Sequence, residues 1–240
     1  MKSVALALVF TLCLIASTRA DLTLVQKVEG AGQGANEMTI KIKGDKARID
    51  ASPKLTTIID GKTGDIANLM NDRKTVMRIS AEKMRAAAEM IGKFNAHATN
   101  ASKGKLTPTG KKDKVAGYDA EEYVYETPNF KASYWIAPNY PDGTAIVKEL
   151  QALSSDLWQS NNFRLPDYRD FPGLPVKTVV AAGDSNVTTT LVSVSKAPLD
   201  DAQFAVPKDF KEIKVPEMHF APPGEKAPQE KPGAPASPKP

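Results

Sequence analysis

Cysteine and histidine are almost missing from this chain of 240 residues, which holds one Cys, Cys13, and two His, His97 and His219. Two histidines cannot form a multi-histidine zinc site and leave little material for a Ser-His-Asp arrangement. His97 falls near the end of an expected helix, where the dipole favours it. No G-x-S-x-G, H-E-x-x-H or P-loop pattern occurs. Aromatic residues make up 7% of the chain and include only two Trp. That disfavours a glycosidase assembled from the plentiful carboxylates, because no aromatic sugar platform accompanies them. Asp60, Asp65 and Asp72 stand in turn sequences where Asp bonds the backbone, and DGKTGD lacks the ligand spacing of a calcium loop. The glycine-rich GAGQG at 30–34 joins two expected strands, so it cannot cradle phosphate at a helix N-terminus. We therefore expect no metal, no cofactor and no catalytic residues.

The two ends read differently from the middle. Residues 1–20, MKSVALALVFTLCLIASTRA, place Lys2 before an apolar stretch from Val4 to Ile15 and close on Ala20. This is the layout of a signal peptide cleaved after Ala20, and the stretch is too short to span a bilayer as a helix. Leu12 before Cys13 does not fit a lipid-modification site. Cleavage removes the last thiol and lowers the formal charge of +4 by the two basic residues of the leader. The mature chain then has no disulfide, and it lacks the basic excess expected of a nucleic-acid binder. Export to the periplasm or the extracellular space is the expected location. At the other end, residues 216–240 hold eight of the 18 prolines and almost no apolar residues after Phe220. This tail reads as an extended spacer that cannot offset its ordering entropy; a ligand for a proline-recognition groove or for the cell wall is the other reading. Residues 21–215 remain as one domain.

Within that domain, EMTIKIK sets Met38, Ile40 and Ile42 on one side of a strand and Thr39, Lys41 and Lys43 on the other. Further strands are expected at 22–29, 47–49, 57–60, 66–70 and 75–79, separated by DGKTGD and NDRK as turns of an antiparallel meander. After Ser80, a suitable N-cap, Met84, Ala87, Ala88, Ile91 and Phe94 recur at helical spacing. Strands leading into a helix without βαβ alternation disfavour a doubly wound fold. Lys103, Lys105, Lys111, Lys112 and Lys114 crowd the next segment, and Gly110 suggests a hairpin bend. Two readings are open for these lysines: peripheral contact with anionic headgroups, or a solvated loop guarding an edge strand. YDAEEYVYE and FKASYWIAP read as strands. Pro141-Asp142-Gly143 opens a second helix with Ile146, Val147, Leu150, Leu153 and Leu157 in a stripe, and VKTVVAAGDSNVTTTLVSVS is a hairpin. Phe204, Val206 and Ile213 close the domain. Met70, Met77, Met84 and Met90 cluster across the strand-to-helix junction, a composition suited either to filling core gaps or to an adaptable apolar surface.

The motifs EMTIKIKGDKARID, IIDGKTGDIANLM, LTPTGKKDKVAGYDAEEYVYE and PLDDAQFAVPKDF, in this order, resemble a bacterial secreted-domain family of the DUF4412 type. That family is similar in turn to the periplasmic lipoprotein carriers and receptors of the LolA/LolB superfamily. The resemblance implies an α+β fold: a curved antiparallel β-sheet, an incomplete barrel, covered by two or more helices near 81–97 and 142–158. It also implies a cavity for a lipid, an acyl chain or another elongated apolar ligand. The apolar positions matched to that cavity are Met38, Ile40, Ile42, Ile58, Leu69, Met77, Met84, Ile91, Trp135 and Leu150. Carriers place a lid-latching arginine directly after the strand that here reads IKIK; this chain has Gly44 there and Arg48 four residues on. The implied function is a non-enzymatic binding protein. A structural or protein-interaction module of the envelope, with a filled core, is the competing reading.

Overall fold

The alternation in EMTIKIK decides which side of the sheet each of its neighbours faces. In the computed structural model, which describes residues 21–30, 33–94, 104–127, 130–153, 166–182 and 185–214, this segment lies in β2 (Gln33–Lys43). It pairs with β1 (Leu22–Gly30) on one side and β3 (Lys46–Ser52) on the other. The meander continues through β4 (Leu55–Asp60), β5 (Asp65–Met70) and β6 (Thr75–Ile79) into helix α1 (Ala81–Phe94). Then come β7 (Leu106–Val115), β8 (Tyr118–Thr127), β9 (Phe130–Ala137), helix α2 (Gly143–Leu153), a 3-10 turn at Tyr168–Asp170, β10 (Leu174–Ala182) and β11 (Ser185–Ser195). A second 3-10 turn, Asp201–Phe204, precedes the short β12 (Lys211–Ile213). All the strands form one open, curved sheet in the order β12-β6-β5-β4-β3-β2-β1-β11-β10-β9-β8-β7, antiparallel except where β12 joins β6.

Residues paired across antiparallel strands share a face. Leu22, Ile42, Ala47, Ile59, Ile66 and Ile79 are paired in succession from β1 to β6 and make one continuous apolar row. Met84 of α1 packs on Ala47, Ile59 and Ile66 of this row, and Ile146 and Val147 of α2 pack with Leu22, Leu24 and Ile42. Both helices therefore meet the same face, here termed inner. The α1 N-terminus is held as its sequence suggests: Ser80 Oγ accepts from the Lys83 amide at 3.3 Å, and Asp65 Oδ1 accepts from Ala81 at 3.1 Å.

The outer face of β2–β6 is closed by the chain that follows β11. Lys43 donates to the Leu199 carbonyl at 2.6 Å, Asp21 accepts from the Leu199 amide at 2.6 Å, and Arg48 donates to the Gln203 carbonyl at 3.0 Å. Beyond these clasps Val206 and Phe210 pack on Ile58, Ala67, Leu69 and Val76, and Lys74 pairs with Asp209 at 2.8 Å. Phe204 and Val206 thus do close the domain, but as a strap across the outer face. Arg48 also pairs with Asp50 at 2.9 Å, and Asp50 accepts from Thr56 Oγ1 at 2.7 Å. Burial alone would raise the Asp50 pKa; the hydrogen bonds from Arg48 and Thr56 outweigh it and hold the carboxyl below its ordinary 3.8.

Two local features correct or add to the sequence reading. Gly110 (φ +78°) lies inside β7 at an irregularity between Pro108 and Lys112, and the hairpin turns instead at Ala116 (φ +50°) and Gly117 (φ +85°). Positive φ at both positions is the primed turn that matches strand twist. Lys111, Lys112 and Lys114 are consequently on the edge strand itself, Lys105 just precedes it, and Lys103 lies outside the described residues. Val192 is 59% exposed because it is the extra residue of a bulge in β11 opposite Val25 and Gln26. The leader, His97, the tail 216–240 and the expected helix ends beyond Phe94 and Leu153 lie outside the described residues.

Two outcomes follow. Arg48→Met should cost about 1 kcal/mol in urea denaturation at pH 7, a partly solvated carboxylate having lost its partner. Because the folded Asp50 pKa is depressed, its contribution exists above the ordinary value and is lost as pH falls through the folded one. The stability gap between wild type and variant should therefore close below about pH 3.8. Gly30→Ala should cost about 2 kcal/mol or more, since Gly30 has φ +112° and a Cβ there would lie 2.0 Å from the Asn186 carbonyl oxygen.

Candidate functional site

On the inner face, further rows follow along the strands away from the Leu22 row. Leu24 and Gln26 follow Leu22 on β1, and Ile40 and Met38 follow Ile42 on β2. Where the helices do not fill the space over these positions, a cavity of about 280 Å³ remains. Its floor is Leu24, Gln26, Met38, Ile40, Tyr134, Thr178 and Thr189, contributed by five neighbouring strands. Its walls are Leu150 of α2 and Pro166, Tyr168 and Phe171 around the 3-10 turn, with Leu174 and Pro175 at the start of β10.

The 3-10 turn is positioned by a cap and by ring contacts. Asp167 accepts from the Arg169 amide at 2.9 Å and pairs with its guanidinium, which fixes the turn start. Phe171 meets Tyr134 edge-on at 5.1 Å between ring centroids and lies 5.3 Å from Tyr168. Bulges bend the floor: Val192 is the extra residue on β11, and a shift between Pro175 and Lys177 lets a proline enter the sheet interior. Burial raises the phenol pKa of both Tyr134 and Tyr168 above the usual 10. Both stay protonated at physiological pH, so they offer hydroxyls and no charge.

The apolar residues singled out in the sequence divide by register. Met38, Ile40 and Leu150 line the cavity. Ile42 lies beside it on the inner face but is fully buried by the protein's own side chains, at 0% exposure. Met77 shares the inner face through its pairing with Asn68, and Met84 packs on the β3–β5 cluster, both away from the cavity lining. Ile58 and Leu69 face the other way, beneath Val206 and Phe210. Trp135 is paired with Glu122 and Lys177 and so lies on the face opposite Tyr134. The Ile91 side chain is outside those described. Gln26, Tyr134, Thr178 and Thr189 escaped the sequence reading, although strand parity from Leu22 and Leu24 points to Gln26. Tyr168 and Phe171 come from an irregular segment with no periodicity to read.

A second cavity, of about 490 Å³, opens at the β4–β5 hairpin end between Lys46, Asp60, Asp65, Arg78, Phe204 and Val206. Its carboxylates are committed locally: Asp60 accepts from the Lys62 and Thr63 amides, and Asp65 caps α1. Arg78 pairs with Glu212. Among the described residues there is no group of His, Cys, Asp and Glu that could hold a metal ion, and no helix long and apolar enough to cross a membrane.

The division by register is open to test. Leu69→Ala should destabilise the protein by about 2–5 kcal/mol in denaturant titration, with no change in the affinity of any ligand held in the inner cavity.

Comparison with known proteins gives a family match over most of the described chain. A family model described as "Domain of unknown function (DUF4412)" matches residues 22–210. No curated protein matches. Among solved structures the chain is similar to PNGF-II, with 13% identity and a TM-score of 0.42; the match covers 82% of this chain but only 32% of PNGF-II. It is also similar to the lipoprotein LppX of Mycobacterium tuberculosis (10% identity, 77% of this chain, 90% of that one, TM-score 0.37). A LolA superfamily protein from Nitrosomonas europaea is a further neighbour (7% identity, 78% and 89% coverage, TM-score 0.27).

Proposed function

We propose, for a chain that belongs to the DUF4412 family, a non-enzymatic role: binding one acyl chain or another slender apolar group in the inner cavity. The observation that carries this reading is the cavity itself, an open-sided space of about 280 Å³ lined by Leu24, Met38, Ile40, Leu150, Phe171 and Leu174 among others. That is near the low end of the roughly 300–1,000 Å³ usual for small-molecule sites. It suits a single chain segment better than a lipid with several chains. Each methylene transferred from water would contribute about 0.8 kcal/mol, so affinity needs no charged anchor. The leader supports export, with the domain working outside the cytoplasm and the proline-rich tail acting as a spacer.

A filled interaction module is the second reading, and a specific observation favours it. Leu22, Leu24, Ile42, Ile146 and Val176 are each at most 2% exposed, so much of the space between sheet and α2 is occupied by the protein itself. Native mass spectrometry of protein purified without detergent separates the two. On the binding reading, a co-purifying apolar mass is present in the wild type. It should be lost in Met38→Trp, whose indole fills the cavity floor, while circular dichroism stays unchanged. Wild-type protein free of ligand, and unable to take up added fatty acyl compounds, would leave the module reading.

A further inference from the structure

Three uncharged polar side chains interrupt the greasy floor of the inner cavity, and they sit together. Thr178 and Thr189 are directly paired across β10 and β11, and Gln26 lies on β1, the strand beside β11. Elsewhere on the same sheet, polar side chains facing a covered surface satisfy one another: Thr57 donates to Asn68 at 2.8 Å on the inner face, and Thr56 donates to Asp50 at 2.7 Å on the outer. Among the described residues no hydrogen bond or ion pair is made by the side chain of Gln26, Thr178 or Thr189. Gln26, Thr178 and Thr189 are half-buried, and polar groups so placed without a protein partner are met by water or by a ligand. No Asp, Glu, Lys, Arg or His is among the described residues lining the cavity.

Resting on the binding reading above, we propose that Gln26, Thr178 and Thr189 form a subsite for the uncharged polar group of an amphiphilic ligand, an ester or hydroxyl attached to one alkyl chain. The alkyl chain lies against Met38, Ile40, Leu150 and Phe171, and the neutral head meets the amide and the two hydroxyls. The amide donates to an ester carbonyl and its oxygen accepts from a hydroxyl; each threonine does either. An ionised carboxylate or phosphate would lose its hydration there with no cation facing it from the described lining. Tyr134 and Tyr168 also line the cavity and bring neutral phenols to it.

Calorimetric titration of the detergent-free full chain at pH 8 tests this with 1-monolauroylglycerol and laurate, which share one acyl chain and differ in charge at the head. The glyceride should bind at least about tenfold more tightly. Laurate binding as tightly or better would overturn the neutral subsite while leaving acyl binding in place, whereas no binding of either compound would overturn both. A Gln26→Leu, Thr178→Val variant keeps side-chain size and removes the polar atoms; it should weaken the glyceride about fivefold or more. If that variant does not fold, Thr189→Val carries the same test. Unchanged glyceride affinity in a folded variant would overturn the subsite.

Discussion

A single sheet this wide has two faces, and strands that carry apolar side chains on both need cover on both. This constraint governs β4 and β5. In β2 the apolar residues alternate with lysine and threonine, so the outer side of that strand needs no apolar cover and meets the strap through Lys43. In β4 and β5, Ile58 follows the parity opposite to Ile59, and Ala67 the parity opposite to Ile66. Consecutive apolar residues of this kind signal burial on two sides. The helices serve one side and the strap from Lys196 to Ile213 the other. The strap takes the outer-face role, leaving part of the inner face to α2 and the cavity. Arg48 belongs to this arrangement: it clasps the strap through Gln203 on the outer face, with Asp50 beside it. No latch for the inner helices can be assigned to it.

The strands were legible because their period is short and their turns are chemically distinct. The meander from Leu22 to Ile79 follows from alternation plus the Asp-Gly and Asn-Asp punctuation, and Ser80 marks α1 as expected. Which face each residue takes was less legible in the strands without alternation. Ile58 and Leu69 look like cavity residues until pairing is known, because a one-residue change of parity moves a side chain across the sheet. Trp135 was misleading for a similar reason, since its neighbours Tyr134 and Ile136 are also apolar and take the inner face. Gly110 looked like a hairpin bend, but positive φ at Ala116 and Gly117 supplies the turn.

The cavity was the least legible element, and its construction explains why. Its floor draws one or two residues from each of β1, β2, β9, β10 and β11, so no continuous motif encodes it. Two bulges, neither announced by a turn sequence, bend the strands beneath it. Its polar residues are Gln and Thr, which in sequence look like ordinary solvent-facing strand residues; only the fold brings Thr178, Thr189 and Gln26 under α2 and the 3-10 turn. For the proposed binding role, an uncharged floor would have a consequence for selectivity. Apolar contact is tolerant of chain length, whereas the pattern of neutral donors and acceptors discriminates between heads.

An open sheet also has two ends, and an unpaired strand edge invites association with other chains. At one end β12 is only three residues long. At the other, β7 carries Pro108, the irregularity at Gly110 and a run of exposed lysines, all of which discourage further pairing. Lys112 and Lys114 are paired in register with Glu121 and Asp119 of β8, and Lys111 lies 3.4 Å from Glu122. These acidic neighbours cancel much of the positive field that a headgroup layer would sense, because attraction to such a surface falls off within a Debye length. The lysines' work at the edge needs only their local charge and hydration, which the acids leave intact. Edge protection therefore accounts for this basic strand more fully than membrane contact does.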